Sequence, residues 1–159
     1  MFFRNAKYGT GVNSFYDPYS NTREFIVPHT NTTEDFIEFS KDVETVSLDD
    51  YFGKQRVDLV NIYVEGAEGL VQEGMLQLLS DNPDIIIISN FTPVYLNATG
   101  TDPFLYLRTF EEHGFSFLNI DANKIKIRPT NIEELMRTYT VENCKGTRII
   151  MERKSGSEV

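Results

Sequence analysis

The chain has 159 residues, 40% of them hydrophobic and 13% aromatic, with 12 Phe, 8 Tyr and no Trp. That supply of apolar side chains suits one globular domain and excludes disorder along the whole length. Basic residues number 15 and acidic residues 24, a formal charge of −9 that argues against gripping nucleic acid through its phosphates.

Residues 1–42 are rich in Asn, Thr, Ser, Tyr and Gly, with turn signals at Gly9-Thr10-Gly11 and Asp17-Pro18. Glu24-Phe25-Ile26-Val27 has strand character that Pro28 ends, so an irregular, hairpin-rich segment is expected there. From Val43 the pattern sharpens. Val43–Val46 reads as a short strand, and Ser47 to Phe52 as a helical turn with Ser47 as its N-cap and Asp49 and Asp50 at its start. Val57–Val64 is β-branched and largely apolar, the pattern of a strand buried on both faces. Gly66 breaks it, and Leu70, Val71, Met75, Leu78 and Leu79 recur at helical spacing from Ala67 to Leu79.

Asn82-Pro83-Asp84 makes a turn before a second buried strand, Ile85–Asn90. A loop carrying Pro93, Gly100 and Pro103 leads to a helix around Phe104–Phe110, stopped by Gly114 with His113 as a cation at its end. Phe115–Ile120 reads as a third strand, Asn131–Met136 as the start of a short helix, Thr147–Met151 as a final strand and 154–159 as a polar tail. Strand, helix, strand, helix, strand is an α/β order, and a doubly wound parallel sheet is the expected architecture. Such sheets bind ligands beyond the carboxyl ends of their strands, here Tyr63 to Gly66 and Ser89 to Thr92.

Cys144 is the single cysteine, and neither a disulfide nor a Cys-rich zinc site follows from it. His29 and His113 match no zinc-ligand spacing, so no metal is expected, and nothing beside Cys144 marks it as a nucleophile. Met1–Asn5 opens no signal peptide, and the longest apolar run, Ile85–Ile88, is far too short to cross a bilayer. A cytoplasmic chain with no membrane partner is the expectation, with the Asn-x-Thr triplets at Asn31, Asn90 and Asn97 as chance matches.

Asn61-Ile62-Tyr63-Val64-Glu65-Gly66-Ala67-Glu68, with Ser47-Leu48-Asp49-Asp50 upstream and Glu73-Gly74-Met75 downstream, resembles the FkbM family of S-adenosylmethionine-dependent methyltransferases. That family reads T-L-D-D, then V-D-L-I-K-I-D-V-E-G-A-E, then a helix with L-x-G. The resemblance runs from about residue 43 to 153. It implies a Rossmann-like class I methyltransferase sheet, S-adenosylmethionine as cofactor, and methylation of a hydroxyl on a sugar or small metabolite. The family's glycine-rich cofactor loop lies upstream of the matched stretch, so the chain is expected to hold only the later strands and helices. On that reading it is a carboxyl-terminal part of a methyltransferase domain (43–153), preceded by the irregular β-rich segment 1–42 and followed by the tail 154–159. Tyr63, Asn61 and Asn90 stand where the family usually has Asp, Lys and an acidic residue. Glu65 is then the carboxylate in place.

The residues expected near the reaction are Glu65, Tyr63 and Asn90, with Gly66 at the cofactor and Thr92 beside Asn90. Glu65 and Glu68 are candidates for orienting a substrate hydroxyl; the alternative for both is to cap the helix that follows. Tyr63 is either a stacking platform or a packed strand residue, and Gly66 either a cofactor contact or a turn former. A missing neighbour for the first long strand also predicts self-association or pairing with an amino-terminal half. The competing function is a non-catalytic interaction or regulatory module.

Overall fold

The computed structural model describes residues 3–4, 13–14, 45–121 and 126–153. β1 (Phe3–Arg4) and β2 (Asn13–Ser14) form a two-residue antiparallel ladder. The strand expected at Glu24–Val27, the Gly9–Gly11 turn and the 154–159 tail lie outside the described residues. Of the strand expected at Val43–Val46, Thr45 and Val46 have no strand structure, and Val43 and Glu44 are outside the described residues.

The domain is built on a five-stranded mixed sheet. Its strands are β3 (Leu59–Ile62), β4 (Ile86–Phe91), β5 (Phe115–Asp121), β6 (Lys126–Thr130) and β7 (Thr147–Arg153), in the order β3-β4-β7-β5-β6. β3 and β4 are parallel, as the crossover pattern predicts. The sheet is not parallel throughout: β7 enters antiparallel between β4 and β5, and β6 returns antiparallel along β5.

β3 is not buried on both faces. It is the edge strand of the sheet among the described residues, and Leu59 on it is 52% exposed. The apolar run reflects one packed face, Val60 and Ile62, and an exposed second one, Leu59 and Asn61. β6 escaped the sequence reading because Lys126, Ile127, Arg128 and Pro129 are exposed and Pro129 removes a donor, features that suit an edge strand.

Among the described residues six helices accompany the sheet: α1 (Leu48–Phe52), α2 (Glu68–Glu73), α3 (Leu76–Asp81), α4 (Pro93–Ala98), α5 (Pro103–Glu112) and α6 (Ile132–Thr138). α1 starts as expected, with Ser47 Oγ accepting from Asp50 N–H at 3.0 Å. The single helix expected over Ala67–Leu79 is instead α2 and α3, broken at Gly74 and Met75. Gly74 passes so close to α1 that a Cβ there would lie 3.3 Å from Ser47 Cβ, and its carbonyl accepts from Asp49 N–H at 2.9 Å. The Asp49 carboxylate then caps α3, accepting from Gln77 N–H at 3.1 Å and Leu78 N–H at 2.7 Å. The stretch expected as a loop after β4 holds α4, begun by Pro93 at its first turn, a position that needs no proline N–H.

The core lies between the sheet and helices α3, α5 and α6, where Met75, Leu78, Leu79, Ile87, Phe91, Leu107, Phe110, Leu135, Ile149 and Met151 are buried. Tyr106, Phe110 and Phe115 stack edge to face with centroids 5.4 and 5.8 Å apart. Tyr106 is wholly buried, and its hydroxyl meets Ser89 Oγ on β4 at 2.8 Å, so α5 is keyed to the sheet by a satisfied polar pair. Arg153 closes the far end, donating to the carbonyls of Leu79, Asn82, Pro83 and His113.

Candidate functional site

The carboxyl ends of β3 and β4 open into a cleft of about 1000 Å³. Its wall includes Tyr63, Asn90, Thr92, Tyr95, Tyr139 and Arg148. Sheet register explains why these side chains meet. Asn90 on β4 stands opposite Arg148 on β7, which stands opposite Ile120 on β5, and Tyr63 is one step beyond the Ile62–Ser89 pair. The result is a row across the sheet. Arg148 joins it, with Nε donating to Asn90 Oδ1 at 3.3 Å and the guanidinium carbon 5.6 Å from the Tyr63 ring centroid.

Of the residues expected at the site, Tyr63, Asn90 and Thr92 line the cleft, and Tyr63 is 57% exposed to it and to solvent. Glu65 and Gly66 sit on the turn beside the cleft rather than in its wall. The turn is tightly wound. Glu65 has φ +43° and Gly66 φ +100°, and only glycine adopts the second at low cost. Gly66 N–H donates to Glu68 Oε2 at 2.7 Å, and its carbonyl accepts from Thr99 Oγ1 at 2.6 Å. Both backbone groups of Gly66 are therefore engaged within the fold.

Glu68 is the first residue of α2 and is 3% exposed. Burial pushes its carboxyl above the usual range, opposed by the backbone N–H groups of Glu68, Gly66 and Val64. Burial and the charge of Glu68 together raise Glu65 as well. Glu65 acts in turn on the cleft: the Tyr95 phenol is pushed up first by burial and next by the Glu65 charge.

Arg148, Tyr95, Tyr139, Asn119, Arg128 and Lys145 also line the cleft and were not singled out from the sequence. A cation inside the apolar run Thr147-Arg148-Ile149-Ile150-Met151 was the available signal for Arg148. Tyr95 comes from α4, Tyr139 from the end of α6, Asn119 and Arg128 from β5 and β6, and Lys145 from the turn before β7. Cys144 also lies in the wall with φ +53°, its sulfur 3.5 Å from the Val141 carbonyl oxygen. His113 ends α5, with Nδ1 2.7 Å from the Thr109 carbonyl oxygen. Among the described residues no cluster of three or more His, Cys, Asp or Glu is placed to hold a metal ion, and no helix is long and apolar enough to cross a membrane.

The family model of the methyltransferase FkbM domain matches residues 4–117. The match begins within the 1–42 segment that composition sets apart and ends inside β5. No curated protein and no solved structure matches the chain. With the match covering well over half of its length, the chain belongs to the FkbM methyltransferase family.

Proposed function

We propose that the chain binds S-adenosylmethionine in this cleft and methylates a hydroxyl oxygen of a sugar or small metabolite. The observation that carries the reading is the position of the cleft, at the carboxyl ends of the parallel strands β3 and β4 in an FkbM-family chain. Its chemistry suits the cofactor: about 1000 Å³ is room for a nucleoside and an acceptor, and the tyrosine rings offer faces for an adenine or a sulfonium. Tyr63 and Tyr95 are the residues that would flank it. Gly66 contributes through the shape of the turn.

When bound, S-adenosylmethionine supplies an electrophilic methyl group on a sulfonium, which departs as a neutral thioether. The protein's part is to place the acceptor oxygen in line with that methyl and to take the hydroxyl proton. Glu65 is assigned the proton, because burial and Glu68 make its carboxylate more basic than an exposed one. Asn90 and Thr92 supply hydrogen bonds for orientation, and Tyr63 supplies a face. Calorimetric titration of S-adenosylmethionine into the 159-residue chain is the first test, with micromolar binding expected. Glu65→Gln should keep that binding and slow methyl transfer by roughly a hundredfold. No binding at high ligand would overturn the reading in favour of an interaction module.

A further inference from the structure

The cleft is positive in a negative molecule. Among the described residues of its wall stand Arg128, Lys145 and Arg148 and no Asp or Glu, although acidic residues outnumber basic ones 24 to 15 in the chain. The three cations are not equivalent. Arg128 is already paired, Nη1 to Glu134 Oε1 at 2.7 Å. Lys145 lies on the turn before β7, exposed, and has no carboxylate partner among the described residues. Arg148 is exposed on the cleft wall but oriented, with Nε donating to the Asn90 amide oxygen and the guanidinium over the Tyr63 ring.

Those two contacts are both to neutral groups. They orient the guanidinium but leave its charge in place, and its two terminal nitrogens have no hydrogen-bond partner among the described residues. An arginine fixed through Nε presents its remaining donors as a fork that matches the paired oxygens of a carboxylate or phosphate. A carboxylate at position 63 or 90 would cancel that charge. Tyr63 and Asn90 preserve it.

We propose that the acceptor is anionic, with a carboxylate or phosphate group bound by Arg148 and supported by Lys145, which presents the acceptor's hydroxyl to the turn carrying Glu65. The assignment rests on the methyltransferase reading above. Asn90 and Tyr63 then act as positioning residues for Arg148. The recognised chemistry is a hydroxylated molecule with two or more anionic oxygens on one centre.

Glucose, glucuronate and glucose 6-phosphate, titrated separately into the full chain and followed by NMR shifts, test this without any turnover. One or both anions should bind at least about tenfold tighter than glucose, weakening as salt rises, and the two anion arms separate carboxylate from phosphate. Arg148→Gln should abolish the preference, and Arg148→Lys should keep part of it. Asn90→Asp, nearly isosteric, should abolish it by supplying an internal anion while leaving the urea midpoint close to that of the parent. Equal binding of the three sugars, absence of binding by both anions, or a preference that survives both Asn90→Asp and Arg148→Gln overturns the proposal. Anion binding by a chain that fails the separate S-adenosylmethionine titration overturns the acceptor assignment and the methyltransferase reading together; failure of the anions alone leaves that reading standing.

Discussion

Glu65 and Glu68 share one turn, and their carboxyls respond to the same burial in different settings. Glu68 is spent on structure: its oxygen holds the Gly66 N–H, and the glycine in turn is anchored by Thr99. Glu65 stands at φ +43°, a conformation a non-glycine residue occupies at some cost, and its charge adds to the burial that pushes the Tyr95 phenol up. Both have folded-state pKa values above their unfolded ones. The folded state therefore binds more protons than the unfolded state once pH exceeds the unfolded value of 4.5. Their contribution to stability is full below that pH and is lost as pH rises through the raised folded values. Glu68→Gln keeps an acceptor for Gly66 N–H but cannot ionise. Urea unfolding across pH 4 to pH 8, a range of about 4 units, should show a smaller loss of stability with rising pH in the variant than in the parent. An unchanged slope would mean that Glu68 is as well solvated as in the unfolded chain. The sequence offered both readings of these glutamates, pocket group or helix cap. The geometry gives Glu68 neither in its simple form: the helix has no side-chain cap, and the Glu68 carboxylate instead holds the Gly66 N–H of the preceding turn.

Elements were legible where local rules decide them. Ser47 starts α1, Asn131 starts α6 by accepting from Glu134 N–H at 2.8 Å, and Gly114, at φ +86°, follows the end of α5. They were illegible where a distant partner decides. Leu70, Val71, Met75, Leu78 and Leu79 keep one helical rhythm, yet the helix breaks because Gly74 is pressed against Ser47 and Asp49 caps the restart. Asp49 and Asp50 look equivalent as acidic residues at a helix start. Only Asp50 serves its own helix; Asp49 reaches 28 and 29 residues ahead. Their substitutions should separate accordingly. Asp49→Ala removes the cap from α3 and should cost about 1–2 kcal/mol in urea unfolding. Asp49→Asn retains one acceptor oxygen and should cost less. Asp50→Ala, at an exposed site, should stay within about 0.5 kcal/mol. Equal losses at the two positions would mean that the bond from α1 to α3 adds nothing to the fold.

At the scale of the whole molecule, the order of strands along the chain revealed the α/β class but not the sheet. β7 has an apolar centre, Ile149 to Met151, and nothing in Thr147–Met151 says that it slips between β4 and β5 in the opposite direction. That insertion depends on long-range pairing, Ile88 with Ile150 and Leu118 with Ile150, which no window of sequence contains. It also creates the cleft, because it brings Arg148 level with Asn90 and Tyr63. The candidate site was thus half legible: the ends of β3 and β4 follow from crossover topology, whereas the cationic wall comes from β6, β7 and the turn between α6 and β7. The same insertion sets the order of protection against hydrogen exchange. β4, β7 and β5 are paired on both sides and contribute Ile87, Phe91, Ile149, Met151 and Phe117 to the core. Among the described residues β6 is paired on one side only, and it is exposed along most of its length. Amides of β7 should exchange only through global unfolding, tracking the urea-derived free energy, while those of β6 exchange through local opening at much lower cost. The sharpest comparison is Ile149 against Ile127, residues of two strands that both flank β5. Equal protection at the two would require β6 to be covered on its outer edge, and a protection of Ile127 that fell on dilution would identify that cover as a second copy of the chain.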